Sequence, residues 1–262
     1  MFKSKVLKGL FYIALIAICT YSGSGMQLHA QTPDSLFTAA NKLYQQEKYL
    51  EALQAYQKIE KQDLESASLY YNMANIYYRS NQVAPAIYYY EKALKLAPND
   101  KDILFNLEFA NRTILDNIEP LPRSLWQKFM NDVVLRFTYE TWSKIAVSLA
   151  FVFAVLFLMY HFSYSTRKKR IYFVTSILSV IFVTTSLFFS YRNKHYVDRN
   201  TEAIVFSTEV EVKSAPTNSS DVYFELHEGT KVLILETLDN WKKIRIADGK
   251  MGWINAAAIK EI

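Results

Sequence analysis

A single cysteine, six glycines and six prolines in 262 residues exclude a good deal. With Cys19 alone, no disulfide framework and no cysteine-based metal site can form within one chain. So few glycines leave little for phosphate-cradling loops, and the sequence holds no P-loop, His-Glu-x-x-His or Gly-x-Ser-x-Gly pattern. His29, His161, His195 and His227 are scattered, and none pairs a nucleophile with a base. These absences predict a protein that is not an enzyme and needs no cofactor or metal. The net charge is only +5, and the densest basic run, Arg167-Lys168-Lys169-Arg170, lies between two apolar stretches. That position suits membrane topology and argues against a nucleic-acid partner.

What is present is apolar and aromatic side chains, 51% and 15% of the chain, gathered into a few segments. Lys3, Lys5 and Lys8 precede an apolar run from Leu10 to Thr20, and Leu28-His29-Ala30 follows. This is the layout of a cleavable secretory signal peptide over residues 1–30. A lipoprotein site at Cys19 is less well supported, because Ile18 fills the preceding position where a small side chain is needed.

Two more runs, Ile145 to Phe162 and Ile171 to Tyr191, match the length of a bilayer core and contain no Asp, Glu, Lys or Arg. The second carries twelve Leu, Ile, Phe and Val residues between Ile171 and Phe189, which favour insertion by about 4–7 kcal/mol before its Ser and Thr are counted. The expectation is a transmembrane hairpin over residues 145–191. Its loop, Ser163 to Arg170, carries four positive charges and should stay in the cytoplasm of a bacterial inner membrane. The leader then places both flanking soluble regions in the periplasm. Spans free of Asp, Glu, Lys and Arg, with His161 only at a span end, predict an anchor and not a transporter.

Residues 31–118 read as helical and repeat themselves. Leu36, Ala40, Leu43, Ala52 and Tyr56 recur as Tyr70, Ala74, Tyr77, Ala86 and Tyr90, always 34 residues on. This period, with small residues at helix crossings and rings beside them, resembles tetratricopeptide repeats. Asn99-Asp100 opens a further helix with Leu104 and Leu107, but Asn117 to Pro122 breaks the run before a partner helix. The reading is two repeats and one lone helix. Residues 119–144 form a linker with an amphipathic helix, Trp126, Phe129, Val133, Val134 and Phe137 sharing one face. It either completes the stack or lies along the membrane surface, and the second is the preferred reading.

The resemblance implies a concave peptide groove made of Asn41, Tyr44, Asn72, Asn75, Tyr78, Arg79, Asn106 and Arg112. Asparagine donates to and accepts from an extended backbone, and tyrosine gives contact area at little entropic cost. Asn41 and Asn75 match asparagines of the carboxylate-binding version of this groove, whereas Phe37 stands where that version has a lysine.

From Glu202 the pattern turns to alternating, β-branched segments: Ala203–Val205, Glu209–Val212, Lys231–Leu235, Lys243–Ile246 and Gly252–Ile254, with Asp248-Gly249 as a tight turn. Ser214-Ala215-Pro216, Leu226 to Val232, Trp241 and Gly252-Trp253-Ile254 give residues 200–262 a resemblance to bacterial SH3-like domains, with Tyr223 and Trp241 as a candidate binding surface. The fold class expected is therefore multidomain: an all-α repeat solenoid, a two-helix transmembrane hairpin and a small all-β barrel. In that order the modules resemble the BatE-type proteins of the Bacteroides aerotolerance operons. That resemblance implies a membrane-anchored interaction scaffold. Its partners would be von Willebrand type A membrane proteins and a MoxR-type ATPase, in oxidative or envelope stress. A cell-wall sensor binding peptidoglycan through the barrel is the alternative.

Overall fold

The computed structural model describes residues 32–262; the leader expected over residues 1–30 lies outside the described residues. Five helices come first: α1 (Pro33–Gln45), α2 (Tyr49–Glu60), α3 (Ala67–Arg79), α4 (Val83–Leu96) and α5 (Lys101–Asn111). Their starts follow from capping chemistry. Thr32 accepts from the Ser35 N–H with Pro33 in the first turn, Ser66 accepts from Leu69, and Asp100 accepts from Asp102 and Ile103. Glu47 and Asn81 close the first turn of each repeat in the left-handed region, at φ 62° and 57°. Ala40, Ala52, Ala74 and Ala86 are fully buried, and Tyr56 and Tyr90 fill the gaps beside them.

No second helix follows α5; the chain leaves it through an irregular segment from Arg112 to Ser124. Part of the face that α5 leaves open on α4 is covered instead by the C-terminal barrel. Ile204 of the barrel is fully buried within the core of the repeats, and Phe206 and Ile262 pack against it.

In sequence between them come the two membrane-length helices, α7 (Tyr139–Phe162) and α8 (Thr166–Arg199), each holding an 18-residue apolar stretch, with mean hydropathies of 2.3 and 2.0 over those stretches. Only Ser163–Ser165 stay outside the helices. The basic run expected in a longer loop forms the first turns of α8 instead, because Arg and Lys are good helix formers. The helix also continues past Tyr191, where the apolar run ends, to Arg199. At 34 residues α8 is about 50 Å long, some 20 Å more than a bilayer core, so it forms a continuous stalk leading into the barrel.

Ser176, Ser179, Ser186 and Asn193 are buried along the seam between α7 and α8. Ser179 Oγ donates to the Leu149 carbonyl (3.0 Å), and the Ser143 and Ser190 hydroxyls lie 2.9 Å apart. Small residues along the seam let the two backbones approach closely.

The stretch expected as one amphipathic helix divides into α6 (Leu125–Phe129) and a single π-helical turn, Met130–Val134. Asn193 Nδ2 donates to the Val134 and Phe137 carbonyls (3.0 and 2.7 Å), and Trp142 Nε1 also donates to Val134 (2.9 Å). These donors on α8 and α7 satisfy carbonyls that a helix end leaves open. The segment thus packs on the hairpin, with Leu125 and Trp126 exposed.

The barrel is one antiparallel sheet of seven strands: β1 (Glu202–Val205), β2 (Glu209–Lys213), β3 (Val222–His227), β4 (Lys231–Leu238), β5 (Trp241–Arg245), β6 (Met251–Asn255) and β7 (Ile259–Glu261), in the order β3-β2-β6-β5-β4-β1-β7. Five strands coincide with the alternating segments in the sequence. β3 and β7, the two edge strands, were not anticipated. The hairpin of β5 and β6 turns at Asp248-Gly249, with Gly249 at φ +91°. Ala203, Val205, Val212, Leu226, Val232, Ile244 and Ile254 form the core.

Candidate functional site

The concave side of the repeats carries one polar arrangement twice. Asn41 Oδ1 accepts from the Tyr56 hydroxyl (2.5 Å) and from Asn72 Nδ2 (3.1 Å). Exactly one repeat later, Asn75 Oδ1 accepts from the Tyr90 hydroxyl (2.5 Å) and from Asn106 Nδ2 (3.0 Å). In each cluster the first asparagine's Nδ2 and the second one's Oδ1 make no hydrogen bond among the described residues. A donor and an acceptor are thus left over in each repeat, the complement of an extended peptide's N–H and C=O. Burial raises the Tyr56 phenol to about 12 and raises Tyr90 as well, so both hydroxyls stay protonated and hold the asparagines in place.

The second cluster opens on a cleft of about 520 Å³ lined by Tyr44, Tyr71, Asn75, Tyr78, Arg79, Tyr90, Phe105, Asn106 and Phe109. Its aromatic wall is exposed: Phe105 is 60% accessible, and its ring lies 4.7 Å from that of Phe109. The Arg79 guanidinium sits 5.5 Å above the Tyr49 ring.

Of the eight residues expected in the groove, Tyr44, Asn75, Tyr78, Arg79 and Asn106 line this cleft. Asn41 and Asn72 form the equivalent cluster one repeat earlier. Arg112 pairs with Glu108 at 2.6 Å on the exposed side of α5, outside the cleft lining. Tyr71, Tyr90, Phe105 and Phe109 were missed as groove residues. The spacing of Phe105 and Phe109, one helical turn apart on a helix with no partner after it, was the available signal.

On the barrel, Tyr223 is exposed on the edge strand β3 and Trp241 is half-buried on β5. β2 and β6 lie between those strands, and neither side chain lines the cleft of the repeats. Trp253 is buried.

Barrel and repeats meet through charge, rings and close packing. Lys231 Nζ lies 2.9 Å from both Glu91 of α4 and Glu202 of β1. Burial opposes its charge, but the two carboxylates hold the ammonium well above its usual range. The Tyr88 and Phe206 rings meet edge to face at 5.7 Å, and Lys260 Nζ lies 4.3 Å from the Tyr88 centroid. Gly229, at φ +89°, turns the chain where any Cβ would come within 3.1 Å of Ile87 and 3.2 Å of Val83.

Set beside known proteins, residues 67–100 match the tetratricopeptide repeat family and residues 207–261 match the bacterial SH3 domain family. No curated protein matches the chain. Among solved structures, the chain is similar to one described as the first TPR of Spaghetti (RPAP3) bound to the HSP90 peptide SRMEEVD. Identity is 22% and the TM-score 0.23, over 34% of this chain and 97% of that one. The two family matches, the two membrane-length helices and the seven-stranded antiparallel sheet define a multidomain chain. It holds tetratricopeptide-type helices, a pair of apolar helices and an SH3-like barrel, the first and last being of kinds that typically bind and do not catalyse.

Proposed function

We propose that this chain is a membrane-anchored scaffold that captures an extended segment of a protein partner in the groove of its repeats. The observation that carries this reading is the doubled Asn–Tyr–Asn cluster, which offers unpaired amide donors and acceptors beside an exposed aromatic wall. Contact between repeats and barrel supports one membrane face for both, since two spans separate them. The reading places that face in the periplasm of a bacterial inner membrane, with residues 163–170 in the cytoplasm. Following the resemblance to BatE-type proteins, the partners are von Willebrand type A membrane proteins with a MoxR-type ATPase, and the process is tolerance of oxidative or envelope stress. The second reading is a cell-wall sensor whose barrel binds peptidoglycan; the bacterial SH3 match and the exposed Tyr223 favour it.

Asn75→Asp separates the two. An aspartate oxygen still accepts from Tyr90 and Asn106, so the fold should hold, while the donor turned to the cleft is lost. Thermal unfolding should change by no more than about 1 kcal/mol, and partner co-purification should fall about tenfold, the equivalent of 1.4 kcal/mol. Undiminished capture, together with co-sedimentation of the full-length protein with sacculi, would favour the cell-wall reading instead.

A further inference from the structure

The segment joining α5 to α6 belongs to neither helical unit, yet it is held against the barrel at three separate points. The Asp116 carboxylate accepts from the His227 backbone N–H (2.8 Å) and the Thr230 hydroxyl (2.6 Å), and lies 2.7 Å from His227 Nδ1. Two residues on, Ile118 packs against the barrel core beside Val210 and Phe224. Three residues further, the Leu121 N–H donates to the Ala247 carbonyl (3.1 Å), and its side chain covers Gly249 so closely that a Cβ there would come within 2.8 Å.

Between these anchors the fit is loose. A space of about 380 Å³ remains, bounded by Asn117 and Glu119 on the segment and by Phe224, Asp248 and Lys250 on the barrel. Core strands pack to crystal-like density and join the ladder. This segment joins no ladder, because it lies outside the seven-stranded order, and Pro120 and Pro122 withhold two backbone donors. Point anchoring with unfilled space is how an extended ligand sits on a preformed surface.

We propose that the barrel face running from His227 to Gly249 is a peptide-docking groove, occupied in cis by Asp116–Leu121. Its partner in trans is an extended protein segment carrying an aspartate, an aliphatic residue two positions later and a leucine five positions later. His227 and Thr230 read the carboxylate, the pocket beside Phe224 reads the aliphatic side chain, and Gly249 reads the leucine. The site is distinct from the groove of the repeats and from Tyr223 and Trp241. A partner segment that wins it displaces the linker and loosens the repeats from the barrel.

The test uses the full chain in detergent micelles and a fluorescent peptide of residues 112–123. In the wild type the tethered segment competes at an effective concentration on the order of millimolar. The variant Asp116→Ala/Ile118→Ser frees the site without touching the barrel, so it should bind the peptide at least about tenfold more tightly than the wild type does. The same peptide with its own aspartate changed to asparagine should bind more weakly. In the unmodified protein, excess peptide should speed hydrogen exchange at the Leu121 amide while the His227 amide stays protected by the incoming aspartate. That arm decides the matter if the double variant does not fold. No binding to a folded variant at about millimolar peptide, or an unmoved Leu121 amide, would show that the segment is only a structural strut and overturn the proposal.

Discussion

Tyr56 and Tyr90 show how one residue type serves packing and recognition together. Their rings fill the space between neighbouring helix pairs, which the 34-residue period made legible. Their hydroxyls, which pin Asn41 and Asn75, were not legible, because each partner lies 15 residues back on another helix. Asp116 and His227 form a second pairing that local sequence could not reveal, being 111 residues apart. Burial opposes the Asp116 charge, but the donors on His227 and Thr230 prevail and lower its pKa. The hydrogen bond to Asp116 raises His227, against some desolvation, and Glu209 and Glu225 add to the rise. A depressed carboxylate stabilises the fold above its unfolded value, about 3.9, and that contribution fades as pH falls through the folded value. A raised imidazole stabilises below about 6.5 and is lost as pH rises through its folded pKa. The contact should therefore be strongest between about pH 4 and 6.5. Hydrogen exchange at the His227 amide, corrected for intrinsic rates, should slow into that window and quicken on either side; in His227→Gln the alkaline limb should vanish.

At the scale of elements, the hairpin was legible from its apolar runs because lipid demands long stretches free of charge, whatever the neighbours are. The segment before it was legible only as amphipathic. Its break into α6 and a π turn depends on donors from Trp142 and Asn193, so no local propensity encodes it. The two missed strands fail for a related reason: β3 and β7 are edges, and an edge strand buries too little to show strong alternation. Asn193→Ala should therefore loosen the π turn. Removing its two hydrogen bonds costs about 1–3 kcal/mol locally, and amides 130–138 should exchange faster while α7 and α8 stay paired. Unchanged exchange would mean that the Phe129, Trp142 and Phe189 rings hold the segment unaided.

For the whole molecule, the order of modules could be read from pattern changes along the chain, but their docking could not. Ile204 reads as a barrel residue and is buried in the repeats; Lys231 reads as a strand end and bridges two carboxylates across the interface. The two soluble units thus form one body on the stalk of α8, although 90 residues separate α5 from β1. Spin labels at Glu51 and Glu236, both exposed, should report a single narrow distance in the wild type. Lys231→Glu sets three carboxylates together, so the distribution should broaden as the units part; a narrow distribution in both would show that the ion pairs are dispensable.

The most direct test of the account is site-specific photo-cross-linking in intact cells, with a photo-activatable phenylalanine at Phe109 on the wall of the cleft. Discrete adducts with membrane proteins should form, and they should fall about tenfold in an Asn75→Asp background that still folds. No adduct from Phe109, with strong adducts from the same probe at Tyr223 on the barrel, would contradict the account.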